Sequence, residues 1–328
     1  MRPQTLILTQ REIARLVTMR TAIRIVREVF KAMARGRAVM PPKLYLTLPR
    51  GDDFRAMPAF VRPAACGVKW VNVHPRNRRR GLPTVMAIIV VNDPLTGFPL
   101  AVLDGLWVTK LRTAAAAAVA ARALARRTSR VVGLIGCGAQ ADAQVLALSE
   151  LFSLRRVNVW GRAPREAKRF CARLKRQLPQ VSCVPCSSVQ ACVREADLIV
   201  TLTPSRRPLV QRTWLRPGVH INAVGADAPG KQELDPRILN EAMVVVDERQ
   251  QAIHGGEINV PIRRGQFRPR AIHASLGEIL LRRKRSRRSA QELTVFDSTG
   301  LAVHDVALAH EIVRQARRRG IGRRVAFF

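Results

Sequence analysis

The sequence predicts an α/β protein in which a parallel sheet has helices on both faces and is preceded by an α+β domain that the C-terminal helix completes. Strand-like runs alternate with helical stretches between residues 131 and 297, a pattern typical of a parallel sheet. The first hundred residues instead combine one amphipathic helix with several short strand-like runs. An apolar fraction of 47% supplies enough Val, Ile, Leu and Ala for packed cores, so we do not expect a disordered chain.

The N-terminal domain begins with a helix and continues as a sheet. Apolar residues recur at helical spacing before Gly36, which can end the helix: Ile13, Leu16, Val17, Ile23, Val26, Val29, Phe30 and Met33. The pattern then changes to strands over 43–48, 67–73 and 84–92, and a turn sequence follows at 92–97. We therefore expect a predominantly antiparallel sheet.

The next segment alternates helices and strands. A helix is predicted from Thr109 to Arg127 because it contains five consecutive alanines, the residue with the highest helix propensity. Strands are predicted over 131–135, 157–160, 181–184, 198–203, 219–224, 244–247 and 294–297. The last helix, over 303–319, lies beyond the last strand, and we expect it to return to the first domain.

A glycine-rich loop follows the first of these strands. Gly136 and Gly138, with the small Ala141 in the third position, form the pattern G-x-G-x-x-A between an apolar strand and a helix. Gly136 permits a tight turn, and Gly138 lets backbone N–H groups of a loop that includes Ala139 and Gln140 approach a pyrophosphate at the helix N-terminus. The loop therefore predicts a Rossmann dinucleotide-binding domain.

The end of the next strand bears on which cofactor is bound. Chains that bind NAD usually place Asp or Glu about 20 residues after the glycines. Here Gly161 and two arginines, Arg162 and Arg165, follow the strand, and no carboxylate stands at that position. Because the arginines can contact a 2′-phosphate, we predict that NADP(H) is favoured over NAD(H). The alternative is chance, since the chain contains 49 arginines, only eight of its 57 basic residues being lysine.

Several segments resemble the ornithine cyclodeaminase/mu-crystallin family. They are 67–75 (GVKWVNVHP), 81–85 (GLPTV), 93–97 (DPLTG) and 111–115 (LRTAA). Further segments are most similar to the archaeal-type alanine dehydrogenase branch: 203–208 (TPSRRP), 220–235 (HINAVGADAPGKQELD), 254–260 (HGGEINV) and 296–302 (FDSTGLA). The resemblance extends over nearly the whole chain.

The resemblance implies an enzyme that oxidises or reduces the carbon–nitrogen bond of a small amino acid or its imine. It implies a homodimer that pairs N-terminal sheets, and an active site in the cleft between the N-terminal domain and the Rossmann domain. The domains would be 1–112 for substrate binding and dimerisation, 113–302 for NAD(P) binding, and 303–328 for the returning helix. Lys69 matches the catalytic lysine of the family, Arg112 its cofactor- or substrate-anchoring arginine, and Asp227 its acidic residue. We expect further cofactor contacts from Thr113, Gly161, Val224, Gly225, Ala226 and Ser298.

The chain departs from the family pattern at two positions. Ornithine cyclodeaminases carry glutamate before a Met-Pro pair, where this chain has Ala56 before Met57 and Pro58. The carboxylate that would help to hold a second amino group is therefore missing. The other departure is Gly161, where the branch usually has aspartate, and it puts an assignment to NAD in doubt.

The chemistry of amino-acid oxidation asks for the same residues. A carboxylate substrate, an amino acid or keto acid, needs cations, for which Lys43, Arg55 and Arg112 are candidates. Burial and repulsion from Arg55 and Arg112 would lower the pKa of Lys69 towards neutrality, where it can carry a proton. Asp227 would orient the amine and pass a proton to the attacking water. The alternative for Lys69 is an ion pair at the end of a strand.

The predicted function is that of an NAD(P)-dependent alanine dehydrogenase, which interconverts L-alanine with pyruvate and ammonia. One alternative is an ornithine cyclodeaminase or a reductase of a cyclic ketimine such as pyrroline-2-carboxylate. Another, of a different class, is a mu-crystallin-like NADP-dependent ligand-binding protein. Lys69 and Asp227 argue against a pure binder, which has no need of a paired proton carrier.

Other features exclude further classes of protein. The longest apolar runs are far below the roughly 18 residues of a membrane span, and residues 1–4 lack the features of an export signal, so we expect a cytoplasmic protein. Six cysteines are too few for a disulfide scaffold. Cys183, Cys186 and Cys192 lack the second ligand pair of a metal site, and we predict no metal.

The formal charge of +34 suggests polyanions as partners. Basic clusters occur at 76–80, 282–288 and 317–319. No aromatic residues interleave them and no recognition motif accompanies them, so we expect nonspecific polyanion binding at low salt and no dedicated nucleic-acid function.

Overall fold

The structure, a computed structural model, describes residues 3–328, apart from the side chains of Arg50 and Arg78. Residues 1 and 2, part of the stretch interpreted above as lacking an export signal, lie outside this description, as does the side chain of Arg78 in the first basic cluster. The chain divides into two compact units, and the division falls inside one helix. The N-terminal unit comprises the residues up to Arg112 together with Leu301–Phe328, and the Rossmann unit comprises Thr113–Gly300.

The secondary-structure elements are numbered in chain order. The strands are β1 (Thr5–Leu8), β2 (Ala38–Val39), β3 (Leu44–Thr47), β4 (Asp53–Val61), β5 (Ala65–Val73), β6 (Val85–Asn92), β7 (Pro99–Asp104), β8 (Val131–Ile135), β9 (Arg156–Trp160), β10 (Ser182–Pro185), β11 (Leu198–Thr201), β12 (Arg206–Val210), β13 (His220–Ala223), β14 (Gln232–Leu234), β15 (Met243–Val246), β16 (Ala274–Ser275), β17 (Thr294–Asp297) and β18 (Arg323–Val325). The helices are α1 (Gln10–Leu16), α2 (Met19–Ala34), α3 (Gly105–Leu124), α4 (Ala141–Ser149), α5 (Pro164–Gln177), α6 (Val189–Val193), α7 (Pro236–Glu241), α8 (Arg249–Gly255), α9 (Asn259–Arg263), α10 (Leu276–Leu280) and α11 (Ala302–Arg319).

The N-terminal unit is built on a mixed sheet in the order β18-β1-β7-β6-β5-β4-β2. The remaining strand, β3, pairs with the first four residues of β4. The pairs from β4 to β7 are antiparallel, and β1 runs parallel to β7. The single helix predicted for residues 13–33 is two helices, because Thr18 has an extended backbone and its hydroxyl caps α2 by accepting from Thr21 N. Strands β1, β2, β4, β7 and β18 were not predicted.

The two faces of this sheet differ. Along β4 the odd-numbered residues from Arg55 onwards are buried, and the same parity continues in β5 at Lys69 and Val71. Helix α11 packs against β4, β5 and β6, and α2 packs against α11. The opposite face carries partly exposed apolar side chains, including Trp70. Because successive residues of a strand alternate between faces, the side chains of Lys69 and its neighbour Trp70 lie on opposite faces of the sheet.

The Rossmann unit contains a parallel sheet in the order β10-β9-β8-β11-β13-β17-β15-β16. All seven strands predicted for this segment are present, and the fold class is confirmed. From β8 the chain proceeds outwards through β9 and β10, and then returns to β11 on the other side of β8. The direction of winding therefore reverses between β8 and β11, where doubly wound proteins bind ligands at the carboxyl ends of the strands.

Two further observations concern the cysteines and the helices. The Rossmann unit contains a disulfide between Cys171 of α5 and Cys183 of β10, a pairing that the sequence did not indicate. None of the helices formed by residues 3–328 combines the length and the apolar character needed to cross a bilayer.

Candidate functional site

Lys69 lies at the centre of a buried charge network in the N-terminal unit. Its side chain projects from β5 towards α11 and is 1% exposed. Lys69 Nζ donates to Asp305 Oδ2 over 2.6 Å and lies 3.5 Å from Thr109 Oγ1. Arg112 Nε donates to the other oxygen, Asp305 Oδ1, over 2.9 Å. One carboxylate on α11 therefore holds a lysine from the sheet and an arginine from α3.

The strand pairing explains why Lys69 is desolvated. Lys69 stands in register between Met57 of β4 and Ile89 of β6, and Leu103 of β7 continues the row. All three of these apolar side chains are buried. An ammonium among them needs a close anion, because an isolated buried charge is costly.

Burial, with smaller contributions from Arg112 and Lys43, lowers the pKa of Lys69 to about 7 against the opposing effect of Asp305. The sequence predicted a lowered pKa with Arg55 and Arg112 as the cations responsible. The cations among the largest causes of the shift are Arg112 and Lys43, and Arg55 is not one of them. For Asp305, burial raises the pKa, but Arg112 and Lys69 outweigh it and hold the pKa below its ordinary value.

Arg55 forms an ion pair with Asp53, which was not predicted from the sequence. It is buried on the same face of the sheet as Lys69, but its Nε donates to Asp53 Oδ1 over 2.8 Å and its Nη2 to Asp53 Oδ2 over 3.1 Å. Its guanidinium also lies 5.2 Å from the centre of the Tyr45 ring. For Arg112, by contrast, the described residues supply a partner for Nε only, so the edge formed by its two Nη groups can receive a carboxylate.

Two residues of this network were missed by the sequence analysis. Asp305 and His304 stand between Val303 and Val306 at the buried start of α11. A carboxylate among apolar helical residues is a signal for a buried partner, because unpaired charges are not buried. Burial lowers the pKa of His304 to about 3, so the ring is neutral, and it packs edge-on against Phe30.

The glycine loop of the Rossmann unit has the geometry of a phosphate cradle. Gly136 has φ +99°, and a Cβ there would lie 3.1 Å from Thr203 Cγ2, so the turn requires glycine. At Gly138 the space that a Cβ would occupy is open, and α4 begins three residues later at Ala141. Gln140 stands at the N-cap of α4, where the loop meets the helix. These features fit a dinucleotide pyrophosphate.

The other residues expected to contact the cofactor lie mainly at the ends of strands. Val224, Gly225 and Ala226 follow β13, and Ser298 follows β17. Because β13 and β17 are neighbouring parallel strands, these residues meet at the carboxyl edge of one sheet. Thr113 is buried in α3.

Asp227 follows the β13 loop at the same edge of the Rossmann unit. Its carboxylate is partly exposed and forms an ion pair with Lys231, four residues further along the chain. This partner was not predicted from the sequence.

A model of the ornithine cyclodeaminase/mu-crystallin family matches residues 3–320. The chain belongs to this family. It is 46% identical over 325 residues to the alanine dehydrogenase of Archaeoglobus fulgidus, and the alignment covers 99% of each chain. A solved archaeal alanine dehydrogenase dimer with bound NAD has a TM-score of 0.96 and 45% identity, over 99% of this chain and 100% of that one.

A second solved structure is nearly as similar in fold. It is the Delta(1)-pyrroline-2-carboxylate reductase of Thermococcus litoralis in complex with NADH and L-proline, with a TM-score of 0.95 and 32% identity over 98% of this chain and 100% of that one. The family predicted from the motifs is confirmed.

The preference for NADP(H) predicted from Arg162 and Arg165 is wrong. The similar archaeal alanine dehydrogenase has bound NAD. Both arginines are exposed, and Gly161 beside them packs against Cys137 Sγ. In a chain with a charge of +34, arginines at this position carry little information about the cofactor.

Proposed function

We propose that this protein is an NAD(H)-dependent alanine dehydrogenase that converts L-alanine, NAD⁺ and water into pyruvate, ammonium, NADH and a proton. The observation that carries the proposal is the buried Lys69, whose pKa of about 7 lets it accept and return a proton at working pH. The identity of 46% to an alanine dehydrogenase over the full length supports this substrate.

The Rossmann unit would hold the cofactor through the glycine loop. Backbone N–H groups of Gly138, Ala139 and Gln140 would meet the pyrophosphate at the N-terminus of α4, and Gly225 and Ser298 would lie along the nicotinamide end. When bound, NAD⁺ accepts a hydride from Cα of the substrate.

The N-terminal unit would bind the substrate and move its proton. Arg112 would hold the carboxylate through its Nη groups while its Nε stays bound to Asp305. Lys69 Nζ, in its neutral form, would take a proton from the substrate ammonium, since a nitrogen lone pair must assist departure of the hydride. Asp227 would pass a proton to and from the water that attacks the iminium carbon. Lys43 would add positive potential near the carboxylate.

A second candidate is reduction of pyrroline-2-carboxylate, supported by the TM-score of 0.95 to a reductase of that substrate. Ala56, where cyclodeaminases have glutamate, speaks against ornithine as substrate.

Absorbance at 340 nm tests these proposals directly. Purified protein is mixed with NADH and either pyruvate plus ammonium or pyrroline-2-carboxylate, and with NAD⁺ and either L-alanine or L-ornithine. We expect oxidation of NADH with pyruvate only when ammonium is present, and reduction of NAD⁺ by L-alanine. A higher kcat/KM for the cyclic imine would replace the first candidate by the second, and the absence of any reaction would contradict both.

We also propose that the protein forms a homodimer through the exposed face of the N-terminal sheet. Leu44 of β3, Trp70 of β5 and Ile88 of β6 are 64%, 38% and 49% exposed and fall in one cross-strand row with Ala56. A contiguous apolar patch of this kind is typical of an interface. Ile88→Lys should convert the dimer into a monomer in light scattering. The exposed Leu95→Lys, in the turn after β6, is the matched control.

A further inference from the structure

Glu233, in the short strand β14, holds two loops of the Rossmann unit together. Its Oε1 accepts hydrogen bonds from Thr203 N and Thr203 Oγ1, both at 2.7 Å, and its Oε2 accepts from Gly225 N at 3.0 Å. The side chain is 0% exposed. Within residues 3–328 no lysine or arginine forms an ion pair with it, so its partners are donors of the two loops.

These two loops lie where the sheet reverses its direction of winding. Thr203 follows β11 and Gly225 follows β13, and the two strands are parallel neighbours. A Cβ at Gly136 of the glycine loop would lie 3.1 Å from Thr203 Cγ2, so the Thr203 loop packs directly against the predicted phosphate cradle. Glu233 therefore connects the glycine loop, through Thr203, with the loop that carries Gly225, Ala226 and Asp227.

The packing around Gly225 shows how closely the carboxylate is fitted. A Cβ at Gly225 would overlap both Glu233 Oε2 and the carbonyl oxygen of Thr203. Only glycine allows the three groups to approach in this way. The backbone of Glu233 is itself fixed, because the buried carboxyl of Glu257 accepts from Glu233 N at 2.9 Å and from Leu234 N at 2.7 Å.

We propose that Glu233 is a positioning residue for the nicotinamide dinucleotide, because its carboxylate holds the Thr203 and Gly225 loops in the arrangement that binds the cofactor. Glu233 does not contact the reacting atoms in this proposal and acts through the two loops. The inference rests on the NAD(H) binding proposed above, and the experiment separates the failure of one from the failure of the other.

The test is a titration of NADH, followed by protein fluorescence, into the parent protein and the Glu233→Gln and Thr203→Val variants. Glutamine has a single acceptor oxygen, so it leaves at least one buried N–H without a partner. We expect the dissociation constant to rise about tenfold, and the KM for NAD⁺ to rise by more than kcat falls. Thr203→Val removes the hydroxyl, which donates to Glu233 and accepts from Ser205 N at 3.3 Å, and should weaken NADH binding about threefold. In the double variant the effects should be less than additive, since both substitutions change the same hydrogen-bonded cluster.

Asp197→Asn is the matched control, at the opposite edge of the same sheet. Asp197 accepts from Arg130 N at 2.8 Å and Val131 N at 3.0 Å and pairs with Arg126 and Arg216. We expect this variant to lower the melting temperature while leaving the dissociation constant for NADH within about twofold, because the amino ends of the strands do not face the cofactor.

Each outcome bears on one of the two proposals. If the parent protein does not bind NADH, the proposed function fails. If the parent binds NADH and Glu233→Gln binds it equally well, the positioning role is refuted. The role is also refuted if Asp197→Asn and Glu233→Gln lower the melting temperature by similar amounts and weaken NADH binding equally. If Glu233→Gln does not fold, Thr203→Val decides, and an unchanged affinity in that variant overturns the inference.

Discussion

The two units of the molecule bury ionisable groups in opposite ways. In the N-terminal unit, Lys69 and Arg112 share the carboxylate of Asp305, so the buried charges are balanced by ion pairs. In the Rossmann unit, Glu233 and Glu257 are buried as acceptors of backbone N–H and hydroxyl groups. An ion pair keeps a side chain that can gain or lose a proton, here Lys69, in a buried position. A carboxyl that accepts from backbone N–H groups, as Glu233 does, holds segments of the main chain in place. The first arrangement suits proton transfer and the second suits the positioning of loops.

Burial is the largest cause of the pKa shifts in both units, and it shifts the pKa of the lysine and the pKa values of the carboxyl groups in opposite directions. It lowers the pKa of Lys69 to about 7, and it raises the pKa of Glu233 to about 7 and that of Asp297 to about 8. Burial disfavours the charged form of either kind of group. The same physical cause therefore brings a base and an acid of the two units to a similar pKa.

The largest expected effect is on kcat, and it tests whether proton transfer and cofactor binding depend on residues of different units. Lys69→Ala should lower kcat for L-alanine oxidation about 10³-fold, within the range of general acid–base catalysis. The dissociation constant for NADH should be unchanged, the reverse of the pattern expected for Glu233→Gln. Steady-state kinetics and the NADH titration measure the two quantities. Lys31→Ala, in the surface pair with Glu28, is the control. Turnover of Lys69→Ala within tenfold of the parent would remove Lys69 from the mechanism.

Asp305→Asn tests the ion pairs themselves. It leaves the buried Lys69 and Arg112 without an anion, which should cost about 3–5 kcal/mol in the free energy of unfolding measured by urea denaturation. Loss of the anion also lowers the pKa of Lys69 further, so the midpoint of the pH profile of kcat/KM for L-alanine should shift to lower pH. Glu311→Gln, which removes a surface partner of Arg314 on the same helix, should change neither. A pH midpoint unmoved in Asp305→Asn would show that Asp305 does not act on the titrating group.

The parts of the molecule that depend on local sequence patterns could be predicted from the sequence. The glycine loop and the strands Val131–Ile135 and Thr294–Asp297 have periodicity and turn residues that any parallel-sheet protein shows. Asp305 was missed because it meets Lys69 across 236 residues of chain, a pairing that no local spacing encodes. Glu233 was missed because its partners are backbone groups, which every sequence has. The cofactor was predicted wrongly because exposed arginines are common everywhere in this chain.

The pH dependence of stability should distinguish the units. The pKa of Lys69 is 10.5 when unperturbed and about 7 in the fold, so between these values the unfolded state binds more protons and stability rises with pH. The pKa of Glu233 is 4.5 when unperturbed and about 7 in the fold, so between these values the folded state binds more protons and stability falls as pH rises.

Two variants isolate these opposing slopes. Lys69→Met should flatten the dependence of the free energy of unfolding on pH above about 7, and Glu233→Gln should flatten it between about 4.5 and 7. Urea denaturation at a series of pH values measures both. Identical pH curves for the two variants would contradict the assignment of opposite slopes to the two units.

The smallest expected effect concerns the charges outside both clusters. A formal charge of +34 implies strong repulsion between surface groups at low salt. The Debye length shortens from about 30 Å at 0.01 M to about 8 Å at 0.15 M ionic strength. Because this weakens the repulsion, the melting temperature should rise over this range by about 2–4 °C. Buried charges are screened much less by salt than exposed ones. Lys69→Met and Glu233→Gln should therefore show the same salt dependence as the parent, although each changes the pH dependence. A melting temperature independent of salt in all three proteins would mean that the ion pairs along the surface, such as Arg76 with Asp52, already offset the repulsion.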